Sequence, residues 1–153
     1  MKSTFCLFAL FLLFSFGCKS NLNTDAQKEL EIDIAFYLAE QEEDKSLVRR
    51  LNPETSEPIY LHPTALIETK DIVGARKDPG EFGQPVLTVF LDENAGYRIK
   101  TATSKHINKP AVITVDDEIV VVAQIRSPLD HGFQISGDYT DEQIDEMLKK
   151  LKQ

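Results

Sequence analysis

The stretch 85–115, PVLTVFLDENAGYRIKTATSKHINKPAVITV, decides the fold class of this chain. Its first part, 85–92, is rich in β-branched and aromatic residues, which predicts a buried strand. Apolar residues then recur at helical spacing over 92–109, and Asp92 is placed to cap the start of that helix. The run 110–115 returns to an extended pattern. The chain therefore mixes strands and helices within a short distance.

Further strands lie on both sides of this stretch. A hairpin is predicted from 110–115 and 118–125, because two apolar runs flank the tight acidic turn at Asp116 and Asp117. The segment 46–58 contains Pro and Asn residues that predict turns. A short helical turn is expected near 69–72, with a weak strand after it. The other strand candidates are 29–40, whose apolar residues alternate, 58–62 and 133–137.

The last helix is predicted over 140–152. Thr140 and Gln143 have the spacing of a capping box, and Tyr139 can pack against Ile144 at the helix entry. The strands and helices do not alternate as regular strand–helix–strand units. We therefore predict an α+β fold, a mainly antiparallel sheet with two main helices packed on one side.

The N-terminus has the pattern of an export signal. Lys2 precedes an apolar run over 5–16, and Gly17 stands directly before Cys18. A basic start, a short apolar core and a small residue at the cleavage point are typical of a secretory signal. With a cysteine after that point, it resembles a bacterial lipoprotein signal. The resemblance implies a signal peptide over 1–17 and a lipidated Cys18, followed by a flexible tether that ends at residue 27 and one domain over 28–153.

Charge and cysteine content narrow the setting further. The formal net charge is −8, which argues against nucleic acid as a partner, because that affinity rests on basic residues. The same negative charge disfavours electrostatic binding to anionic lipids, so the acyl chains on Cys18 are expected to hold the protein at the membrane. Cys6 and Cys18 are the two cysteines of the chain, so the mature domain is expected to lack disulfides. The resemblance to a lipoprotein also implies a location, because Lys19 after the lipid site slightly favours the outer membrane over the inner in that family, with the domain facing the periplasm.

Residues that could carry chemistry form no recognisable set. His62, His106 and His131 lack the spacing of a metal-ligand pair, so no metal or other cofactor is expected. Ser127, Asp130 and His131 are loop neighbours, and such residues rarely reach the geometry of a catalytic triad. We therefore expect no catalytic residues and no enzyme, with an unrecognised hydrolase as the remaining alternative.

Two loops contain apolar side chains whose role can be interpreted in two ways. Phe82 lies between glycines in GEFG, while Leu129 and Phe133 bound LDHGF. Each side chain either packs within its own loop or contacts a partner. These three residues are the candidate partner-binding positions.

The region from 86 to 151 resembles the head subdomain of the first periplasmic domain of SecD, an accessory subunit of the bacterial protein-export machinery. The motif positions are matched by Asp92, Ala95, Gly96, Ile99 and Thr103, by Val112, Ile113, Asp116 and Asp117, and by Ile135, Gly137, Tyr139 and Thr140. The resemblance implies the head fold and peptide handling. It does not imply motor activity, because it covers none of SecD's membrane helices.

Taken together, these patterns predict a lipid-anchored, non-catalytic envelope protein. Its expected partners are an unfolded exported polypeptide or a Sec-type envelope protein, besides the membrane itself. The alternative is a structural subunit of an envelope complex that contacts one fixed partner.

Overall fold

The computed structural model describes residues 32–151, so the signal, Cys18 and the tether lie outside the described residues. Within that range strands and helices are mixed, and the predicted α+β class is confirmed. A 3₁₀ turn at Thr69–Asp71 separates β4 from β5. The elements are β1 (Ile34–Glu40), β2 (Val48–Leu51), β3 (Pro58–Leu61), β4 (Ile67–Glu68), β5 (Ile72–Pro79), β6 (Pro85–Leu91), α1 (Glu93–Ser104), β7 (Pro110–Val115), β8 (Glu118–Gln124), β9 (Gly132–Ile135) and α2 (Asp141–Leu151).

The strands form two antiparallel sheets. The larger sheet has the order β2-β3-β1-β7-β8, with β4 also paired to β1, and the smaller has the order β5-β6-β9. This corrects the expectation of one sheet. The alternation of apolar residues indicates which face of a strand is buried, whereas strand partners are chosen by contacts distant in sequence. Here β6 pairs with β9 rather than with the β7–β8 hairpin that follows it more closely.

One hydrophobic core joins the two sheets and the two helices. Phe36 of β1 and Phe133 of β9 pack with their ring centroids 5.3 Å apart and so connect the sheets directly. Both helices lie against β6 of the smaller sheet. Buried residues from every layer belong to this core, including Ile34, Phe36, Leu87, Val89, Ile99, Ile113, Phe133, Ile135 and Ile144.

Strand β2 is absent from the sequence prediction, which assigned 46–58 to turns. Its residues Val48–Leu51 pair with β3, and their side chains are mostly exposed. A strand held by backbone bonds at the surface has no buried apolar face, so its sequence shows no alternation to detect. Arg50 on this strand also contacts Asp117 at 3.2 Å, across to the β7–β8 turn.

Helix α1 begins as predicted and ends earlier. The Asp92 carboxylate accepts the N–H of the third helical residue at 2.8 Å, as expected for a cap. The helix ends at Ser104, before the end of the predicted range 92–109. Asn108 has a φ of 66°, and Pro110 cannot continue a helix. These residues turn the chain into β7 soon after the helix.

Helix α2 has the predicted capping box. The Thr140 N–H donates to Gln143 Oε1 at 2.8 Å, and the Gln143 N–H donates to Thr140 Oγ1 at 3.3 Å. Ile144 is fully buried, and Tyr139 packs against the same core. Capping depends on residues within one turn of the helix, so it can be read from sequence.

Asp71 is a buried carboxylate that connects the 3₁₀ turn to α1. The side chain accepts the Glu68 N–H at 3.0 Å and lies 2.8 Å from the Arg98 guanidinium. Burial by itself would raise the pKa of this carboxyl. The Glu68 N–H and Arg98 outweigh that effect and hold the pKa below its ordinary value of 3.8. Asp71 is therefore ionised at neutral pH and stabilises the fold in that form.

We expect Asp71→Asn to lower the free energy of unfolding by about 2 kcal/mol at about pH 7, since a charged hydrogen bond to Arg98 is lost. The contribution of a carboxyl with a lowered pKa is present above its unfolded value and is lost as the pH falls. The gap between wild type and variant should therefore shrink as the pH falls below 3.8. Urea titrations at several pH values measure this, and a gap that does not change with pH would contradict it.

Candidate functional site

Strand β8 lies at one edge of the larger sheet. Among residues 32–151 it pairs with β7 alone. Its central residues 119–123 read IVVVA and carry no charge. Sheet edges are usually protected by charged side chains, Pro or bulges, because unpaired N–H and C=O groups attract another strand. A register shift between Ile113 and Thr114 interrupts the β7–β8 ladder once. The outer edge of β8 after this irregularity is of the kind that accepts a further strand.

An apolar cavity of about 430 Å³ lies beside β8, between the two sheets. Its floor comes from the larger sheet, through Phe36, Ile113 and Val121. The opposite wall comes from β9 and the loop before it, through Phe133 and Leu129. Because apolar groups line most of this space, it favours aliphatic or aromatic side chains over polar ones.

A second cavity of about 540 Å³ continues along the same strand. It shares Val121 and Ala123 with the first cavity. At its far end lie Phe82 and the segment 136–138, which follows β9. The unpaired edge of β8 therefore borders a continuous groove. The residues lining either cavity are called the β8 groove below; they include the apolar residues Phe36, Phe82, Ile113, Val120, Val121, Ala123, Leu129 and Phe133 and the charged residues Glu54, Arg126 and Asp138.

Phe82 stands at the tip of the 80–84 loop with 88% of its surface exposed. Its N–H donates to Gln84 Oε1 at 3.0 Å, and the Gly80 N–H donates to the Gln84 carbonyl at 2.7 Å. Gly83 adopts a φ of 84°, which glycine accepts without strain. The interpretation of Phe82 as a residue tucked into its own loop is wrong. The loop closes through its own backbone and leaves the ring outside.

Leu129 holds its loop against α1 from the other end of the groove. Its N–H donates to Thr103 Oγ1 at 3.0 Å. Thr103 is fully buried, and its hydroxyl donates to the Ile99 carbonyl at 2.6 Å. The Leu129 side chain packs partly against the core and partly lines the groove. A role for Leu129 in partner binding stays a prediction.

Phe133 is buried in the core, and its role in partner binding stays a prediction. Only 7% of its surface is exposed, and its ring packs on Phe36. The cause is that 132–135 forms strand β9, so alternate residues point into the core. Phe133 reaches the groove as part of its wall, whereas Phe82 projects from the surface.

The loop residues Ser127, Asp130 and His131 do not form a hydrolytic arrangement. Asp130 is hydrogen-bonded to Lys100 at 2.8 Å, and this contact lowers the pKa of the Asp130 carboxyl. His131 has 87% of its side chain exposed. In the part of the chain that the structure describes, no serine hydroxyl is hydrogen-bonded to a histidine. A nucleophile paired with its base is therefore not formed by these three residues.

The groove itself is the feature that sequence reasoning missed. The pattern of 118–125 correctly predicted a strand. Its uncharged centre was the one feature of the sequence that could have indicated an unprotected sheet edge. Whether a strand lies at an edge depends on the sheet order, which is not visible in local sequence. The sequence identified the loops that carry Phe82 and Leu129. It did not predict that both loops border the same groove.

Comparison with known proteins supports the fold and gives the family. The family model described as "SecDF, P1 head subdomain" matches residues 44–153. The chain belongs to the SecDF P1 head subdomain family. The predicted resemblance to the SecD head is confirmed, and the domain is related to a component of the protein-export machinery.

A sequence relative shows the same relationship at lower coverage. The protein translocase subunit SecDF of Brucella abortus biovar 1 (strain 9-941) is 27% identical over 117 aligned residues, and the match covers 69% of this chain. The chain spans 15% of the length of that relative. The similarity therefore concerns the head subdomain and not the rest of SecDF.

Two solved structures share the fold of this P1 head domain. One is a SecDF described as a membrane component that enhances protein export; its TM-score is 0.61 at 18% identity, covering 80% of this chain and 62% of that one. The other is SecDF in a super-membrane-facing form, with a TM-score of 0.61 at 19% identity. That match covers 78% of this chain and 18% of the SecDF chain. Neither α1 nor α2, the helices within 32–151, has the length and apolar character needed to cross a bilayer.

Proposed function

We propose that this P1 head domain binds extended apolar segments of exported polypeptides along the β8 groove. The observation that carries the proposal is the uncharged centre of the β8 edge beside the first, mainly apolar cavity of the β8 groove. Membership of the SecDF P1 head family supports the proposal, because a relative of this chain is described as a protein translocase subunit. The domain acts as a non-catalytic binding module in this proposal.

Strand addition is the physical route. An extended segment would pair with the outer N–H and C=O groups of β8, which supplies affinity for any backbone. Alternate side chains of that segment would point into the groove, where Phe36, Val121 and Leu129 offer apolar surface. Phe82 would add a contact from the exposed end. Such a site favours chains that have not yet folded, because folded proteins have few free apolar strands.

The anchoring part of the proposal rests on the N-terminal sequence. We infer a signal peptide over 1–17, a lipidated Cys18 with a tether to residue 27, and the domain over 28–153. The acyl chains would hold the domain at the envelope, facing the periplasm, with the outer membrane slightly favoured. Tethering would raise the local concentration of the groove at the membrane surface that carries the anchor.

We expect Ala123→Lys to weaken polypeptide binding by about tenfold or more. Ala123 lines both cavities and is exposed, so the substitution places a charge at the groove without filling the core. Charged residues at an edge also oppose strand addition. The measurement is fluorescence anisotropy of a labelled, unfolded envelope protein titrated with the unlipidated mature chain.

The matched control is Val48→Lys on β2, at the opposite edge of the same sheet. Val48 is 47% exposed and lies outside both cavities, so binding should not change. Equal weakening by both variants would indicate a general effect of charge and contradict the β8 site. A wild-type chain that binds no unfolded polypeptide but captures one folded envelope protein would overturn the proposal in favour of a structural subunit.

A further inference from the structure

Three potential metal ligands meet at a corner of the domain, and none of them lines the β8 groove. Glu40 is the last residue of β1, His62 follows β3 directly, and His106 follows the end of α1. The three side chains each offer one ligand atom, and these atoms lie within 4.8 Å of one another. All three residues are partly buried. Strand pairing creates the corner, because the His62 N–H donates to the Leu38 carbonyl at 2.9 Å beside Glu40.

His62 presents a ring nitrogen whose bonding is incomplete. Its Nε2 is buried and has no hydrogen-bond partner among residues 32–151. The nearest opposite charge is Glu40 Oε1, at 3.9 Å, which is too long for a hydrogen bond. A buried ring nitrogen without a protein partner is unfavourable, and a bound ligand would satisfy it. A cation between Nε2 and the carboxylate would satisfy both groups.

His106 is oriented as a metal ligand usually is. Its Nδ1 lies 2.8 Å from the Ala102 carbonyl, which can only accept, so Nδ1 carries the proton in the neutral ring. The free lone pair is then on Nε2. Ligating histidines almost always donate their second N–H to a carbonyl or carboxylate in this way. The His62 and His106 rings lie 6.0 Å apart at 84°, so neither stacks over the other.

The surrounding charge is mixed and favours a cation overall. Lys109 Nζ contacts Glu40 Oε1 at 2.8 Å and would compete with a bound ion. A cavity of about 350 Å³ opens beside Glu40 and His62, and it is also lined by the carboxylate residues 42–44. These acidic groups offset the Lys109 charge and border the open side of the ligand cluster.

We propose that Glu40, His62 and His106 bind one divalent ion of the zinc type. Two imidazoles and one carboxylate are a donor set used for zinc, and two nitrogen donors disfavour calcium and magnesium. A fourth position would stay open toward the acidic cavity for water or an additional carboxylate. Ligands about 2.1 Å from a tetrahedral ion are about 3.4 Å apart, so small side-chain rotations would close the site.

The test is titration of the chelator-treated mature chain with Zn²⁺ by calorimetry, with Co²⁺ absorption as a report of tetrahedral geometry. We expect one ion per chain in the micromolar range. His62→Asn and His106→Asn should each weaken binding by about tenfold or more. His131→Asn is the matched control, because His131 is an exposed histidine outside the cluster, and Lys109→Gln should strengthen binding by removing the competing ammonium.

A second measurement does not depend on the variants folding. Bound Zn²⁺ should protect His62 and His106 of the wild-type chain from diethylpyrocarbonate, while His131 stays reactive. Absence of saturable binding at about 100 µM Zn²⁺ would overturn the proposal. Equal loss in the His131 variant, or equal protection of all three histidines, would also overturn it.

Discussion

Gly132→Ala is expected to destabilise the domain by about 3 kcal/mol, because the added methyl group has no space. A Cβ at this position would lie 2.0 Å from the Val89 carbonyl oxygen and 3.3 Å from the Phe90 Cα. Both neighbours are backbone atoms of β6, the strand that pairs with β9. Neither can rotate away as a side chain would, so the two strands must separate. Urea unfolding measures the loss as a lower midpoint.

Gly74→Ala is the matched control within the same sheet. A Cβ there meets no atom closer than 3.9 Å, at the Phe90 ring, which is ordinary contact. Its effect should stay within about 0.5 kcal/mol of wild type, since the gain from a less flexible unfolded chain offsets small losses. If both variants have the same stability, the close approach of β9 to β6 at Gly132 is not present in solution.

The Gly132 variant also connects the fold to the proposed site. β9 carries Phe133, which forms one wall of the β8 groove. Movement of β9 away from β6 would displace that wall even at temperatures where the domain stays folded. Polypeptide binding should therefore weaken in Gly132→Ala and stay unchanged in Gly74→Ala.

Cys18→Ser is expected to abolish membrane association of the exported chain. The lipid-anchor hypothesis assigns acylation to the Cys18 thiol, and a hydroxyl cannot replace it in that modification. Stable anchoring requires more than one hydrophobic signal, and each buried methylene contributes about 0.8 kcal/mol. The acidic domain, with a net charge of −8 for the full sequence, offers no electrostatic substitute. Fractionation and labelled-palmitate incorporation in cells measure the effect.

Cys6→Ser is the matched control, because the hypothesis places Cys6 in the signal that is removed. That variant should keep both the label and the membrane fraction. A Cys18 variant that stays in the membrane without label would instead indicate anchoring by an uncleaved apolar segment over 5–16. Labelled palmitate on the Cys18 variant would contradict the assigned site directly.

Elements governed by near neighbours in sequence were predictable. The Thr140–Gln143 capping box and the Asp92 cap involve residues within one turn, and both are present. The hairpin turn was likewise readable, with Asp116 and Asp117 at φ of 51° and 65°. Local hydrogen bonds and backbone preferences determine these features, so distant contacts need not be known.

The candidate sites depend on contacts that no local pattern records. Phe82 and Leu129 were recognised as apolar loop residues, but the groove between them is formed by strands from separate parts of the chain. His62 and His106 lack any metal-binding spacing, yet they meet because β3 and α1 end at the same corner. Strand β2 was missed for a related reason, since a surface strand carries no buried face.

The amino-acid sequence by itself determined the α+β class, the likeness to the SecD head and the starts of the two capped helices. The fold class and the helix starts follow from periodicity, capping and turn chemistry over a few residues, whereas the likeness follows from the matched motif positions. The tertiary structure alone decided the division into two sheets, the edge position of β8 and the meeting of Glu40 with the two histidines. The physical reason is that strand order is chosen by burial and pairing between distant segments, for which each strand's own sequence has no preference.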